Sequence, residues 1–499
     1  MSRSLRGEVT AGVLWLGLQS TAGKVINFAG QLVLARLLLP EAFGLVGVAL
    51  TLISIGNVIA GLGVDLLLQK RARYINLWLS HSLLIVSVSS AVTTLGLAIV
   101  ATGFYLHGAQ SLSLVLLLYL ISVPATAFAL IPQVALQRDF RFKFISLYNL
   151  FEIVLTQGMT ILLALGGWGA NGFAIAATVG ALVRMAAFWY KVPVGRRSRF
   201  RVFGMGRWLK AGLAAMGTRL SATAIDQGDY IVLSFLGDIR EVGLYFFAFR
   251  LASQSMRTLS LSFVSVLLPA LARLSGNAAK QLDAALRSSE TVIYVIMPVC
   301  FLQAAVAAPF LDVLFGSRWS GAAFYVQVLS IGLSFDAMAW PAGALLTAQG
   351  RYRLSFILST SYAVAFYMVV GSAGFAYGSR AVAVAVSSYY LVHGATMVMI
   401  VFDVRSVGWR RLFRTFALPV LCSAGSVLAA YFAGNAVVGG ALARLVLIPV
   451  LALCLYYCVL KVAAPIVVGD LEAKVWGLLV RLRGARFDRK ANTAPPHQG

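Results

Sequence analysis

The chain has 499 residues, 60% of them hydrophobic and only 12% charged, with a net charge of +24 and a mean hydropathy of +0.86. Soluble proteins carry about 25% charged residues, so too little polar surface is available here for a water-soluble globular fold. Hydrocarbon obliges every backbone group to find an internal partner, and apolar runs of more than about 18 residues are too long for barrel strands, which leaves a bundle of membrane-spanning helices.

Met1–Arg6 is basic. The apolar stretch after it is too long for a secretory signal, contains Lys24 and has no evident cleavage site, so it reads as a retained first helix. It leads through the turn Leu39-Pro-Glu-Ala-Phe-Gly44 into a second apolar segment. This hairpin, Gly12–Gln69, recurs about 199 residues later as Gly212–Pro269, where Glu241-Val-Gly-Leu244 stands for Glu41-Ala-Phe-Gly-Leu45 with one residue of slack. Hydropathy over a window of about 19 residues predicts about fourteen spans, at roughly 10–38, 43–69, 79–104, 111–136, 146–166, 170–191, 208–236, 243–269, 290–314, 323–348, 354–377, 380–402, 413–436 and 440–465. A second repeat signal follows. Gln137-Arg-Asp-Phe-Arg-Phe142 closes the fourth span and Gln349-Gly-Arg-Tyr-Arg-Leu354 the tenth, at an offset of 212. The 13 extra residues fit an inserted surface helix at Leu274–Glu290.

These signals predict an all-α polytopic membrane protein: two parallel-repeat six-helix lobes (1–191 and 208–402), a basic linker (192–207), two added spans (403–465) and a basic amphipathic tail (466–499). With the N-terminus inside, 30 of the 41 Lys and Arg residues fall on inner segments and four on outer loops. That split orients the chain with both termini cytoplasmic. It also accounts for the charge by anionic lipids at the cytoplasmic face, with no nucleic acid involved.

A charge in mid-span costs about 2.5–3.5 kcal/mol on insertion scales and usually faces the bundle interior or a wet cavity. Arg36, Asp65, Arg184, Asp312 and Arg219 lie near span ends and can snorkel. Lys24 is central in the first span. Asp226 and Asp229 share a face of the seventh, with Arg219 seven residues before; Arg250 and Arg257 share a face of the eighth. Asp229 and Arg250 are each about ten residues from the hairpin turn, hence at matching depth and placed to pair. Lys24, Arg219, Arg250 and Arg257 are the candidates for an anionic head group. Asp226, Asp229, Glu152 and Asp336 are the candidates for ion coupling or charge pairing. The competing reading gives these pairs a purely structural role, as clamps between helices.

Other signals carry less. Gly167-Trp-Gly-Ala-Asn-Gly172 matches GxGxxG but follows a span rather than a strand, so it is no dinucleotide site. His81 and His393 stand isolated and read as packing or interface groups. The four cysteines lie in apolar runs; Cys454 and Cys458 share a face, but two thiols in lipid make no metal site, and neither disulfide, metal nor cofactor is expected. Pro124, Pro132, Pro298, Pro309 and Pro341 fall within spans and permit kinks.

Leu34-Ala-Arg-Leu-Leu-Leu-Pro-Glu-Ala-Phe-Gly-Leu-Val-Gly47 resembles the first hairpin of the polysaccharide-transport (Wzx-type) oligosaccharide-lipid flippases, nearest the colanic-acid exporters. These belong to the superfamily that includes multidrug extruders and the lipid II flippase. The resemblance implies two lobes around a cavity that opens alternately to each side of a bacterial inner membrane. It implies a lipid-linked oligosaccharide on undecaprenyl diphosphate as substrate, with a polysaccharide polymerase and export machinery as partners, and no enzyme activity. Lys and Arg in the cavity suit a diphosphate; the acids on the seventh span depart from a purely cationic cavity. A cation-coupled drug exporter and a lipid II flippase are the alternatives on the same fold. A polymerase or glycosyltransferase would need a sizeable outer loop, and the outer loops are short. A channel fits the duplication with central charges less well.

Overall fold

The computed structural model describes residues 3–70, 75–192, 205–236, 238–274, 276–403, 407–437, 439–465 and 469. Among them every regular element is helical. The helices are α1 Arg3–Leu37, α2 Pro40–Gly61, α3 Val64–Lys70, α4 Ile75–Leu106, α5 Gln110–Tyr119, α6 Ser122–Arg138, α7 Phe142–Leu165, α8 Gly169–Lys191 and α9 Met205–Phe235. They continue with α10 Ile239–Arg273, α11 Ala278–Ala305, α12 Ala307–Leu314, α13 Ala322–Ala348, α14 Tyr352–Tyr377, α15 Ser379–Val401, α16 Trp409–Leu412, α17 Leu418–Val437 and α18 Ala441–Ala463. The predicted amphipathic tail and most of the predicted linker lie outside the described residues.

Each predicted span meets a helix or an adjacent pair of helices. Among the described residues eleven helical segments are long and apolar enough to cross a membrane. The other three spans are α1, α9 and α10, of 35, 31 and 35 residues. They are long enough but carry most of the intramembrane charge. Four spans are interrupted, among them the ninth, at Val306 between α11 and α12. The second bends between α2 and α3, where Leu62 and Gly63 adopt φ of 44° and 66°. The fourth breaks between α5 and α6, where the Ser122 hydroxyl donates to the Tyr119 carbonyl at 2.6 Å and Thr178 to that of Leu118 at 2.7 Å, repairing freed backbone acceptors. The thirteenth contains a π turn over Phe413–Ala417.

The inserted surface helix expected at Leu274–Glu290 is not a separate element. Asn277 caps α11, its side chain accepting from the Lys280 amide at 3.0 Å, and the helix runs on unbroken into the ninth span. The Gly167–Gly172 segment is the turn between α7 and α8 and the start of α8, with Gly167 and Gly169 at positive φ.

The chain forms two compact units. One comprises Met1–Leu251, Leu311–Gly332 and Arg351–Tyr389. In it α1 packs on α7, α6 on α8, and α2 on both α4 and α9. The other comprises Ala252–Phe310, Leu333–Gly350 and Tyr390–Gly499. There the two added spans, α17 and α18, pack on α11 through Tyr294, Cys422, Tyr456 and Leu460, and the Tyr456 hydroxyl donates to the Tyr294 carbonyl at 2.8 Å.

Candidate functional site

Within the first unit the two repeated hairpins meet at equivalent residues. The starts of α2 and α10 lie against each other so closely that a Cβ on Gly44 would stand 2.1 Å from the Ile239 carbonyl oxygen, and one on Gly243 1.8 Å from that of Pro40. Each glycine is also the other's near neighbour, at 3.1 and 3.0 Å from the backbone nitrogen. No side chain fits between these backbones, which is the physical reason for glycine at both positions. Two positive helix ends face each other here, and each first turn carries an acid, as the macrodipole favours. Glu41 pairs with Arg240 at 3.7 Å. Glu241 accepts from the Tyr325 and Ser379 hydroxyls.

An aromatic plug surrounds the crossing. Buried Phe43 makes edge contacts with Phe173, Phe247 and Trp319 at 5.7, 5.9 and 5.1 Å, and Phe247 lies 4.1 Å from Trp319. The Trp319 indole donates to the Ala35 carbonyl at 2.7 Å, and Arg36 to the Leu314 carbonyl at 2.9 Å. The last turn of α1 is thereby tied to the segment after α12. Arg36 is thus a fastening rather than a snorkelling side chain.

One turn further along α2, Gly47 admits Phe246, whose ring a Cβ there would meet at 2.9 Å. Phe246 in turn carries Arg250, with the guanidinium carbon 5.6 Å from the ring centroid. Residues 242–249 and 251–253 are buried, yet Arg250 is exposed. Buried Tyr119, at the break of the fourth span, and buried Tyr230 lie within electrostatic reach of it. Exposed Gln254, half-buried Arg257 and exposed Leu261 follow on the same face of α10, making an accessible ladder down an otherwise packed helix. Gln254 was not singled out in the sequence, because an uncharged side chain in a span raises no alarm; its i+4 spacing from Arg250 was the available signal.

The expected Asp229–Arg250 pair does not form. Asp229, 1% exposed, accepts instead from the Tyr245 hydroxyl at 2.7 Å and the Tyr230 amide at 3.0 Å. Equal depth fixes height along two helices but not the direction each side chain takes. Half-buried Asp226 lies near Asp229. Its neighbour Gln227 accepts from the buried Thr51 hydroxyl of α2 at 3.2 Å. Arg219 is engaged with Asp65 of α3 at 2.7 Å. Lys24, half-buried, makes no ion pair among the described residues; on either side of it Gly23 meets Ile153 and Asn27 accepts from Gln157 of α7.

The other two candidate acids are also occupied. Glu152 of α7 accepts from Arg184 of α8, whose Nε lies 2.9 Å away. In the second unit Asp336 of α13 accepts from the Trp340 indole at 2.9 Å and lies 3.3 Å from His393 of α15. His393, read as isolated, therefore has a carboxylate beside it. The next residue explains the approach: a Cβ on Gly394 would stand 2.3 Å from the Phe335 carbonyl oxygen. No cluster of three or more His, Cys, Asp or Glu with metal-binding geometry exists among the described residues.

A family model described as polysaccharide biosynthesis protein matches residues 33–324. The chain is 27% identical over 319 residues to a succinoglycan biosynthesis transport protein of Rhizobium meliloti, covering 62% of this chain and 63% of that one. It therefore spans less than two thirds of that relative's length. It is 22% identical over 378 residues to an uncharacterized membrane protein in the cps region of Klebsiella pneumoniae, covering 70% and 73%. In fold it is similar to the lipid II flippase MurJ in an inward closed conformation, with a TM-score of 0.73 at 14% identity over 90% of this chain and 98% of that one. It is also similar to an inward-facing multidrug resistance MATE family transporter, with a TM-score of 0.59 at 18% identity over 77% and 96%. Identities this low speak to fold alone. The family match starts in the first hairpin, includes the whole second one and ends beyond Trp319 of the aromatic plug; the chain belongs to the polysaccharide biosynthesis protein family of polytopic membrane proteins.

Proposed function

We propose that this protein is a flippase that carries a lipid-linked oligosaccharide, joined to its lipid through a diphosphate, from the inner to the outer leaflet of the bacterial cytoplasmic membrane. The two lobes, 1–191 and 208–402, rock about the Gly44–Gly243 crossing, with both termini on the cytoplasmic side. The observation that carries this reading is Arg250, an accessible guanidinium on a helix whose neighbouring residues are buried. Phe246 lies under it, and the groups that act on its charge are the neutral phenols of Tyr119 and Tyr230. A guanidinium kept free of carboxylates offers its full charge and its planar fork of donors to a phosphate oxygen pair. Lys24 supplies a further cation.

The succinoglycan relative's name and the family description support transport in polysaccharide biosynthesis. A drug exporter of the same fold would hold cationic substrates on open carboxylates. Here Asp229, Glu152 and Asp336 each have a protein partner, which weighs for the anionic substrate.

The test is the double variant Lys24→Ala with Arg250→Ala, produced at normal membrane levels in a strain lacking the native gene. Loss of surface polysaccharide with accumulation of the lipid-linked precursor is expected. Unchanged polysaccharide would reject the reading, and a gain or loss of drug resistance without any change in polysaccharide would favour the exporter.

A further inference from the structure

A groove of about 560 Å³ lies between α4 and α6 in the first unit. Its floor is a row on one face of α4 (Ser87, Ser90, Ala91, Thr94 and Ala98), and its far wall is Pro124 and Phe128 of α6. The Ser90 hydroxyl turns back to the Ser87 carbonyl at 3.3 Å and the Thr94 hydroxyl is buried, so the floor presents mainly carbon. On α4 large apolar residues flank the row, with Val88, Val92, Leu95 and Ile99 between 56% and 66% exposed. On a membrane helix such a face meets lipid. The groove is therefore a lateral trench in a lipid-facing surface, recessed where the residues are small and running along the helix as a lipid chain does.

Its position singles out one chain among many. Pro124 comes five residues after Tyr119, about 7.5 Å along a helix at 1.5 Å per residue. Tyr119 is the buried phenol that Arg250's charge reaches. The break between α5 and α6 falls between these two residues. The trench thus lies on the same span as the phenol that Arg250's charge reaches. We infer that this groove seats the isoprenoid tail of the substrate, a role that rests on the flippase reading above. Head and tail are then gripped on either side of the fourth-span break, and the protein senses the length of the lipid as well as its charge.

The experiment compares binding of undecaprenyl diphosphate and farnesyl diphosphate to the full chain in nanodiscs. Wild type is expected to prefer the long chain. Ala91→Trp, at an exposed position, fills the trench; it should remove about tenfold of that preference, the equivalent of roughly two buried methylenes, while leaving farnesyl diphosphate affinity within about twofold. Ser87→Phe fills the other end and should do the same, which guards against a folding defect in one variant. Arg250→Ala should weaken both ligands equally and leave the preference intact. A long-chain preference that survives both trench-filling variants overturns the inference, because the groove then holds ordinary membrane lipid. Unchanged binding of both ligands in Arg250→Ala would instead reject the head-group reading, so the two failures are distinguishable.

Discussion

The two repeated hairpins are alike where they touch and unlike in the charges they carry. At their tips they are nearly interchangeable: Gly44 and Gly243 occupy equivalent places against each other's backbones, and Glu41 and Glu241 sit in equivalent first turns. Away from the tips they diverge. In the first hairpin α2 is an ordinary apolar span and α1 brings Lys24 and the fastening Arg36. In the second, α9 and α10 bring Arg219, Asp226, Asp229, Arg250 and Arg257. The matching hairpins thus share the joint and differ in their polar side chains. A joint between two bodies must fit on both sides at once, whereas a ligand needs only one good set of donors.

The comparison breaks most sharply at the joint. Gly243→Val should cost at least about 3 kcal/mol, the upper end for overpacking, since the obstacle is a carbonyl rather than a side chain that can move; Gly44→Val should cost as much. Thermal unfolding in detergent measures both, and unequal costs would show that the crossing is not a symmetric joint. Next comes the chemistry. Arg250→Ala alone should lower transport by about tenfold to a hundredfold, the worth of a charged hydrogen bond of roughly 1.5–3 kcal/mol. Lys24→Ala alone should lower it by no more than about threefold, as for a screened cation lacking bidentate geometry. Equal losses would make the hairpins functional equals. Tyr245→Phe should destabilise by about 1–3 kcal/mol, because Asp229 keeps its burial and loses a donor. Thr51→Val should cost about 1 kcal/mol through the lost bond to Gln227 between the hairpins. A transport defect in Tyr245→Phe larger than its stability loss would move Asp229 from scaffold to mechanism.

Much of this was legible in the sequence. Hydropathy placed most spans within a few residues of a helix, because a helix in lipid must be long and apolar whatever it packs against. The hairpin match located Gly44 and Gly243 as counterparts before any contact between them was known. Partners of intramembrane charges were legible only by depth. Depth put Asp229 opposite Arg250, but azimuth gave it to Tyr245 and left Arg250 stacked on Phe246. Asp336 and His393 are far apart in the chain and meet only because Gly394 lets α15 close on α13; nothing local to either residue announces the other. Leu274–Glu290 looked like an independent helix because its polarity differs from the span after it, yet one cap at Asn277 starts a helix that contains both. A change in polarity marks where a helix leaves the membrane, not where it ends.

The excess charge on α9 and α10 has a consequence for biogenesis. Each helix alone fails the apolarity that carries its neighbours into lipid, and a lone Asp or Arg at mid-membrane is costly. The buried Tyr245–Asp229 bond spans the hairpin turn, so its two ends emerge from the ribosome only 16 residues apart. The pair can satisfy its own acid before any other helix arrives. Insertion of the second hairpin is then a single event at the translocon rather than two, and in a nascent chain halted after α9 that helix should stay outside the bilayer until α10 follows.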